Sequence, residues 1–245
     1  MGHSFGGLIL FTAVSEYLIE SVVRCICYSA PVVRPFGDLI ILINPAFEAA
    51  RYLPLYSAAR RADYPENQRP CFLAVTSKSD DVTKYGFPMG RWFSTRLESV
   101  RRNTLEWDDA PADAQGRSIL HTVGHLEWLT THRLTCPNTD ESAHQAYKGM
   151  RPDKDDWDKE RTAFDEFNQT FRPNGRLREK WKRTYSSGAI LEHVRGNPNN
   201  PFWTIEAGPE VVDGHSEIFG KVFMDFLRQV IDDRLRPIAS KQPPV

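Results

Sequence analysis

Cysteine is scarce in this chain. Only Cys25, Cys27, Cys71 and Cys136 occur among 245 residues, too few for a disulfide-stapled scaffold and consistent with a reducing, cytoplasmic setting. Cys71 falls in a strand-like run, where a small buried thiol is expected. An excess of either charge is missing as well. The 31 Lys and Arg are interspersed with 32 Asp and Glu for a net charge of −1, which gives no electrostatic case for nucleic acid or an anionic membrane surface. No apolar run reaches the length of a membrane span. There is no internal repeat, no low-complexity tract and no pattern that suggests a cofactor. A chain of this size can bury one large core, so a single domain, with or without an excursion, is expected.

The first residues carry the most information. Gly2-His3-Ser4-Phe5-Gly6 fits G-x-S-x-G, a strand-to-helix turn that lifts a serine hydroxyl above a parallel sheet. Glycine on either side of the serine avoids a Cβ clash with nearby backbone and tolerates strained dihedrals. The following Gly7 to Val14 is apolar nearly all round, as a helix buried beneath a sheet should be, and the helix is expected to run to about Val23. The plainer reading of the same residues is a glycine-rich loop with Ser4 as a helix N-cap.

Cys25 to Phe36 reads as a loop, with Pro31 and Pro35 in it. Leu39-Ile40-Ile41-Leu42-Ile43 is short, aliphatic and unalternating, which predicts a strand covered on both faces and hence parallel. Pro45 suits a first helical turn, and Ala46 to about Arg60 predicts a helix. Pro70 to Thr76 is a second covered strand, followed by the polar loop Ser77-Lys78-Ser79-Asp80-Asp81 at the edge where open parallel sheets bind ligands. From Val82 to Asn200 the pattern weakens. Arg151 to Glu160 is a mixed-charge run expected as a solvated helix start or surface loop. A connection of this length predicts an insertion lying over the sheet's upper edge. Phe202 to Ala207 is a weaker strand, expected near an edge. Then Ile218, Phe219, Val222, Phe223, Phe226, Leu227, Val230 and Ile231 repeat at helical spacing and predict a closing amphipathic helix.

Along the chain, then, come a serine at a strand–helix turn, an acid after a later strand, and His215 in a loop before the last helix. That order resembles the α/β-hydrolase superfamily of serine esterases and lipases. The resemblance implies an α/β fold limited to the C-terminal half of that architecture. About three mainly parallel strands would be flanked by helices, with a long insertion before the last strand. It divides the chain into a nucleophile helix with two core strands (1–81), a partly helical insertion (82–200), a last strand with histidine loop and closing helix (201–236), and a tail (237–245). Position by position it makes Ser4 the nucleophile, His215 the general base and Asp80 the carboxylate partner, with Asp81 as the alternative acid. The Phe5 N–H becomes an oxyanion donor, and Gly2, His3 and Gly6 form the turn. The implied chemistry is hydrolysis of a small-molecule carboxylic ester, without metal or cofactor.

The chain also departs from the family. Only three residues precede Ser4, so the resemblance implies a truncated fold with no strand leading into the turn and no second oxyanion loop. The strand at Leu39–Ile43 would then present an open edge to a partner or second copy, and activity of this chain alone would be weak. Other readings compete at individual positions. His215 could cap the closing helix, Asp80 or Asp81 could cap a helix after the second strand, and Asp213 and Glu217 read as turn and first-turn residues. His121, His125, His132, Cys136 and His144 could hold a metal, although Gly124 weakens a helix there and no H-E-x-x-H accompanies them. Phe87, Trp92 and Phe93 are core aromatics or the lining of an apolar pocket.

Overall fold

Aliphatic runs that are apolar on both sides need cover on both sides, and helices on each face of one sheet supply it. The computed structural model describes residues 1–28, 32–34, 36–65, 68–88, 111, 113–137, 152–172 and 176–236. In chain order the strands are β1 (Gly2–His3), β2 (Ile40–Ile43), β3 (Phe72–Ser77), β4 (His132–Thr135), β5 (Lys182–Thr184), β6 (Ile190–His193) and β7 (Phe202–Ala207). The helices are α1 (Phe5–Tyr28), α2 (Ala49–Arg61), α3 (Ala114–Leu120), α4 (Lys154–Phe171) and α5 (Lys221–Leu235). A π-helical turn at Val82–Gly86 and 3-10 turns at Val123–His125 and Glu127–Leu129 complete the described elements.

One seven-stranded sheet runs β1-β2-β3-β7-β4-β6-β5 among the described residues. The first five in that order are parallel, and β6 and β5 continue it by antiparallel pairing. Successive side chains of a strand point to opposite faces. Ile40, Leu42, Phe72, Ala74 and Phe202 therefore join α1 and α2 in one core. Their neighbours Ile41, Ile43, Leu73, Val75, Trp203 and Ile205 join α5 in the other. The class is α/β.

Several expectations are corrected. Among the described residues the sheet has seven strands rather than three, and the range 82–200, expected as an insertion over its edge, supplies β4, β5 and β6 to the sheet itself. β7 lies between β3 and β4, not near a margin. It looked weak because it holds Thr204, which is fully buried: its hydroxyl meets Tyr52 Oη at 3.5 Å and its N–H donates to Thr131 Oγ1 at 2.9 Å. A strand does lead into the serine turn, although β1 is only two residues long. It pairs Gly2 with Leu42 and His3 with Ile43, leaving Ile40 and Ile41 paired with β3 alone. The second helix starts at Ala49, so Pro45 is not in its first turn. Of the charge run, Lys154 to Glu160 opens α4, capped by Asp153, whose carboxylate accepts the Asp156 N–H at 2.8 Å. Its one buried charge, Glu160, is held by Arg228 of α5.

Helix α1 continues to Tyr28, into the stretch read as loop, and is not buried all round. Gly7, Phe11, Val14, Leu18, Val22 and Cys25 form one buried stripe at spacings of three and four, whereas Phe5, Ile9, Val23 and Ile26 are exposed. By length and composition α1 is long and apolar enough to cross a bilayer. Glu16 and Glu20 interrupt the run but leave its average high. A core helix passes the same test.

The strands beyond β7 are built around buried imidazoles. His132 and His193 face each other across β4 and β6 with ring centroids 5.3 Å apart, and Trp181 and Trp203 pack on His132 at 5.2 and 4.5 Å. Burial pushes the pKa of His132, and that of His193, below the ordinary value. Burial does the same to His121, and lowers His125 from 6.5 to about 4. In all four the folded state refuses a proton that the unfolded chain accepts. Stability is thus complete above the unfolded value near 6.5 and drains away as pH falls toward the folded values. His125 alone accounts for up to about 3 kcal/mol of that loss. Urea unfolding at pH 7 and pH 4.5 is expected to differ by several kcal/mol, and His132→Phe to flatten the slope. A second prediction concerns Gly124, where a Cβ would lie 1.7 Å from Thr76 Oγ1 and 2.1 Å from its Cβ. Gly124→Ala is expected to lower the urea-derived stability by about 3 kcal/mol, the upper end for overpacking.

Candidate active site

Ser4 sits between β1 and α1 with φ of 54°, a left-handed backbone that non-glycine residues seldom adopt. It is held there by its own peptide groups. Its N–H donates to the Ile43 carbonyl at 3.0 Å, and its carbonyl accepts from Gly7 at 3.0 Å and Ala46 at 3.2 Å. The turn is therefore anchored to β2 and to the segment after it, so a long incoming strand is not required to fix the hydroxyl. The glycines differ in their reasons. A Cβ at Gly2 would come 2.6 Å from the Gly6 carbonyl oxygen, and one at Gly7 would meet Pro45 Cβ at 3.1 Å. At Gly6 a Cβ meets nothing within 4 Å, so the expected steric need holds on one side of the serine only. Phe5 opens α1, and the first N–H groups of a helix lack intrahelical acceptors.

The His215 loop returns to Ser4 from the far end of the chain. His215 Nε2 lies 3.0 Å from Ser4 Oγ and Nδ1 lies 2.9 Å from Asp80 Oδ2. An ionised carboxylate only accepts, so the proton sits on Nδ1 and leaves the Nε2 lone pair for the serine hydroxyl. The loop is pinned from below by polar groups at the C-terminal ends of β2 and β3. Asn44 Nδ2 donates to the carbonyls of Gly214 at 3.1 Å and His215 at 2.9 Å, while its Oδ1 accepts the Ser77 N–H at 2.8 Å. Ser77 Oγ donates to the Val212 carbonyl at 2.6 Å, and the Gly214 N–H donates to Ser79 Oγ at 2.9 Å. His3 Nε2 lies 2.8 Å from the His215 carbonyl. A carbonyl cannot donate, so His3 carries its proton there. The closing helix begins only at Lys221, with Gly220 as its N-cap, so His215 does not cap it. Glu217 is likewise outside its first turn and forms a bridge with Asp213.

Asp80 is fully buried and Asp81 is exposed; of the two it is Asp80 that meets His215. Asp80 also caps, because its Oδ1 accepts the Thr83 N–H at 3.1 Å at the start of the π-helical turn. Cap and imidazole partner are one residue here. Burial opposes its charge, but hydrogen bonds from His215 and from the Thr83 hydroxyl and N–H outweigh it and hold the carboxyl below its ordinary pKa of 3.8.

The other candidates disperse. His125 points to Thr83, His132 is in the core of β4, and Cys136 is buried near the Ser187 carbonyl. No group of three or more His, Cys, Asp or Glu among the described residues could hold a metal. His144, Trp92 and Phe93 lie outside the described residues. Phe87 is half-buried. A pocket lined by Trp181, Arg183, Tyr185 and Trp203 lies beside Arg69 and Pro70, before β3. That is the opposite edge of the sheet from Ser4, so it is not a cleft for the serine.

Sequence reading passed over Asn44, which marked only the end of a strand. Its signal was a polar residue directly after a wholly apolar run, where no solvent reaches it: Asn44 is fully buried, with φ of 43°. Asn44→Ala removes its three hydrogen bonds. The expected cost is about 3 kcal/mol of stability by urea unfolding, with added proteolytic cleavage in the His215 loop.

No family model, curated protein or solved structure matches the chain.

Proposed function

We propose that the chain is a serine hydrolase of the α/β-hydrolase type, acting on carboxylic esters through an acyl-enzyme. One observation carries this reading: Ser4 Oγ, His215 Nε2, His215 Nδ1 and Asp80 Oδ2 stand in series at 3.0 and 2.9 Å. They do so at the C-terminal ends of parallel strands, where open sheets place their ligands.

In this reading His215 takes the serine proton as Ser4 Oγ attacks the ester carbonyl carbon. Asp80 stabilises the imidazolium that forms. The tetrahedral intermediate collapses, the imidazolium gives its proton to the leaving alkoxide, and the acyl group stays on Ser4. Water then repeats the sequence and releases the acid. The Phe5 N–H, next to the serine at a helix start, faces the developing oxyanion as its donor. Each element of the array has an exposed apolar neighbour in the chain: Phe5 beside Ser4, Val82 and Tyr85 after Asp80, and Phe219 after His215. Those side chains favour an ester with an apolar acyl or alcohol part.

The test is covalent labelling with a fluorophosphonate, read by intact mass. Ser4 is expected to be the modified residue, and Ser4→Ala to abolish the adduct. Asp80→Asn is expected to keep the fold and reduce hydrolysis of a short-chain nitrophenyl ester by about four orders of magnitude. Folded wild-type protein that takes no label and cleaves no ester would sink the proposal.

A further inference from the structure

Asp80 makes more hydrogen bonds than an imidazole partner needs. Its Oδ2 accepts from His215 Nδ1 at 2.9 Å and from Thr83 Oγ1 at 2.5 Å, and its Oδ1 accepts the Thr83 N–H at 3.1 Å. Thr83 Oγ1 is in turn 2.8 Å from His125 Nε2. A hydroxyl has one proton to give. The charged carboxylate takes it, so Thr83 accepts from His125, whose proton must be on Nε2.

His125 can play only that part. Burial lowers its pKa to about 4; Asp80 and Asp81 oppose the shift, while Lys84 and His121 add to it. It is therefore a neutral donor at neutral pH. Its reach depends on the turn at Val123–His125 lying hard against β3, where Gly124 has no space for a side chain beside Thr76. Thr83 itself is buried in the π-helical turn, a helix distortion often found at functional sites.

We infer that Thr83 and His125 are positioning residues for the Ser4–His215–Asp80 array, extending it to five groups and fixing the plane of the Asp80 carboxylate. This rests on the serine-hydrolase reading. The threonine matters as a spacer, because a second imidazole bonded directly to Asp80 would invite a second positive charge beside the array. Through the hydroxyl, Asp80 gains an oriented donor without a cation. Thr83 engages both Oδ1 and Oδ2, which fixes the rotation of the carboxylate.

The experiment compares wild type, Thr83→Val, Thr83→Ser and His125→Leu. Fluorophosphonate labelling rates are measured from pH 5 to 9, and the His215 Nδ1–H proton is followed by NMR. Thr83→Val is expected to slow labelling by roughly tenfold or more. Its low-pH limb should move to higher pH, because a carboxylate with fewer donors holds the imidazolium harder. Thr83→Ser should restore both rate and profile, and His125→Leu should shift the Nδ1–H resonance in the same direction as Thr83→Val. Wild-type rate and profile in folded Thr83→Val would overturn the inference, as would Thr83→Ser behaving like Thr83→Val. If wild type is not labelled at all, the hydrolase reading fails. The resonance then decides the positioning role by itself: displaced in Thr83→Val it stands, unmoved it falls.

Discussion

A buried amide sets the geometry at the top of the sheet. Asn44 reaches up to two carbonyls of the His215 loop and sideways to the last residue of β3. One amide offers two donors and an acceptor, and all three are used. The amide thereby ties the segments that carry Asp80 and His215 to the end of β2, where the neighbouring Ile43 carbonyl holds Ser4. Separations of 211 and 135 residues along the chain become contacts because the strands beneath are in register and the loops above are tied.

Beneath that point the sheet is a spacer between two independent cores. Side chains of α1 and α2 pack on one face, and those of α5 on the other. The site draws on both. Ser4 leads into α1, and the His215 loop leads into α5. A hydroxyl and an imidazole arriving from opposite faces meet only over the edge, at the level where β1, β2 and β3 stop.

How much of this was legible depended on whether burial was written in apolar letters. β2 and β3 were, as Ile-Ile-Leu-Ile and Phe-Leu-Ala-Val, and they stand where the runs place them. β4 and β6 were not. Their inward positions include His132 and His193, both buried, and an imidazole at a core position erases the alternation on which strand recognition depends. Within the site, Ser4, Asp80 and His215 could be picked from type and order. Asn44, Thr83 and Ser77 could not, because their roles lie in hydrogen bonds that span tens of residues. His125 was noticed for the wrong reason, as a metal ligand at helical spacing from His121. Gly124, which counted against that helix, is what presses the turn onto Thr76. The stripe of α1 was misjudged because the residues around it are apolar too, so the sequence could not say which side faces the sheet.

The far margin of the sheet ends in β5, three residues long and polar. Lys182 sits opposite Glu192 of β6 and bonds to it at 3.1 Å, and Arg183 turns inward to Asp233. A newcomer docking there would have to strip water from one ion pair and work around another, for the reward of three peptide groups. Among the described residues, sheet growth is guarded on this flank by charge.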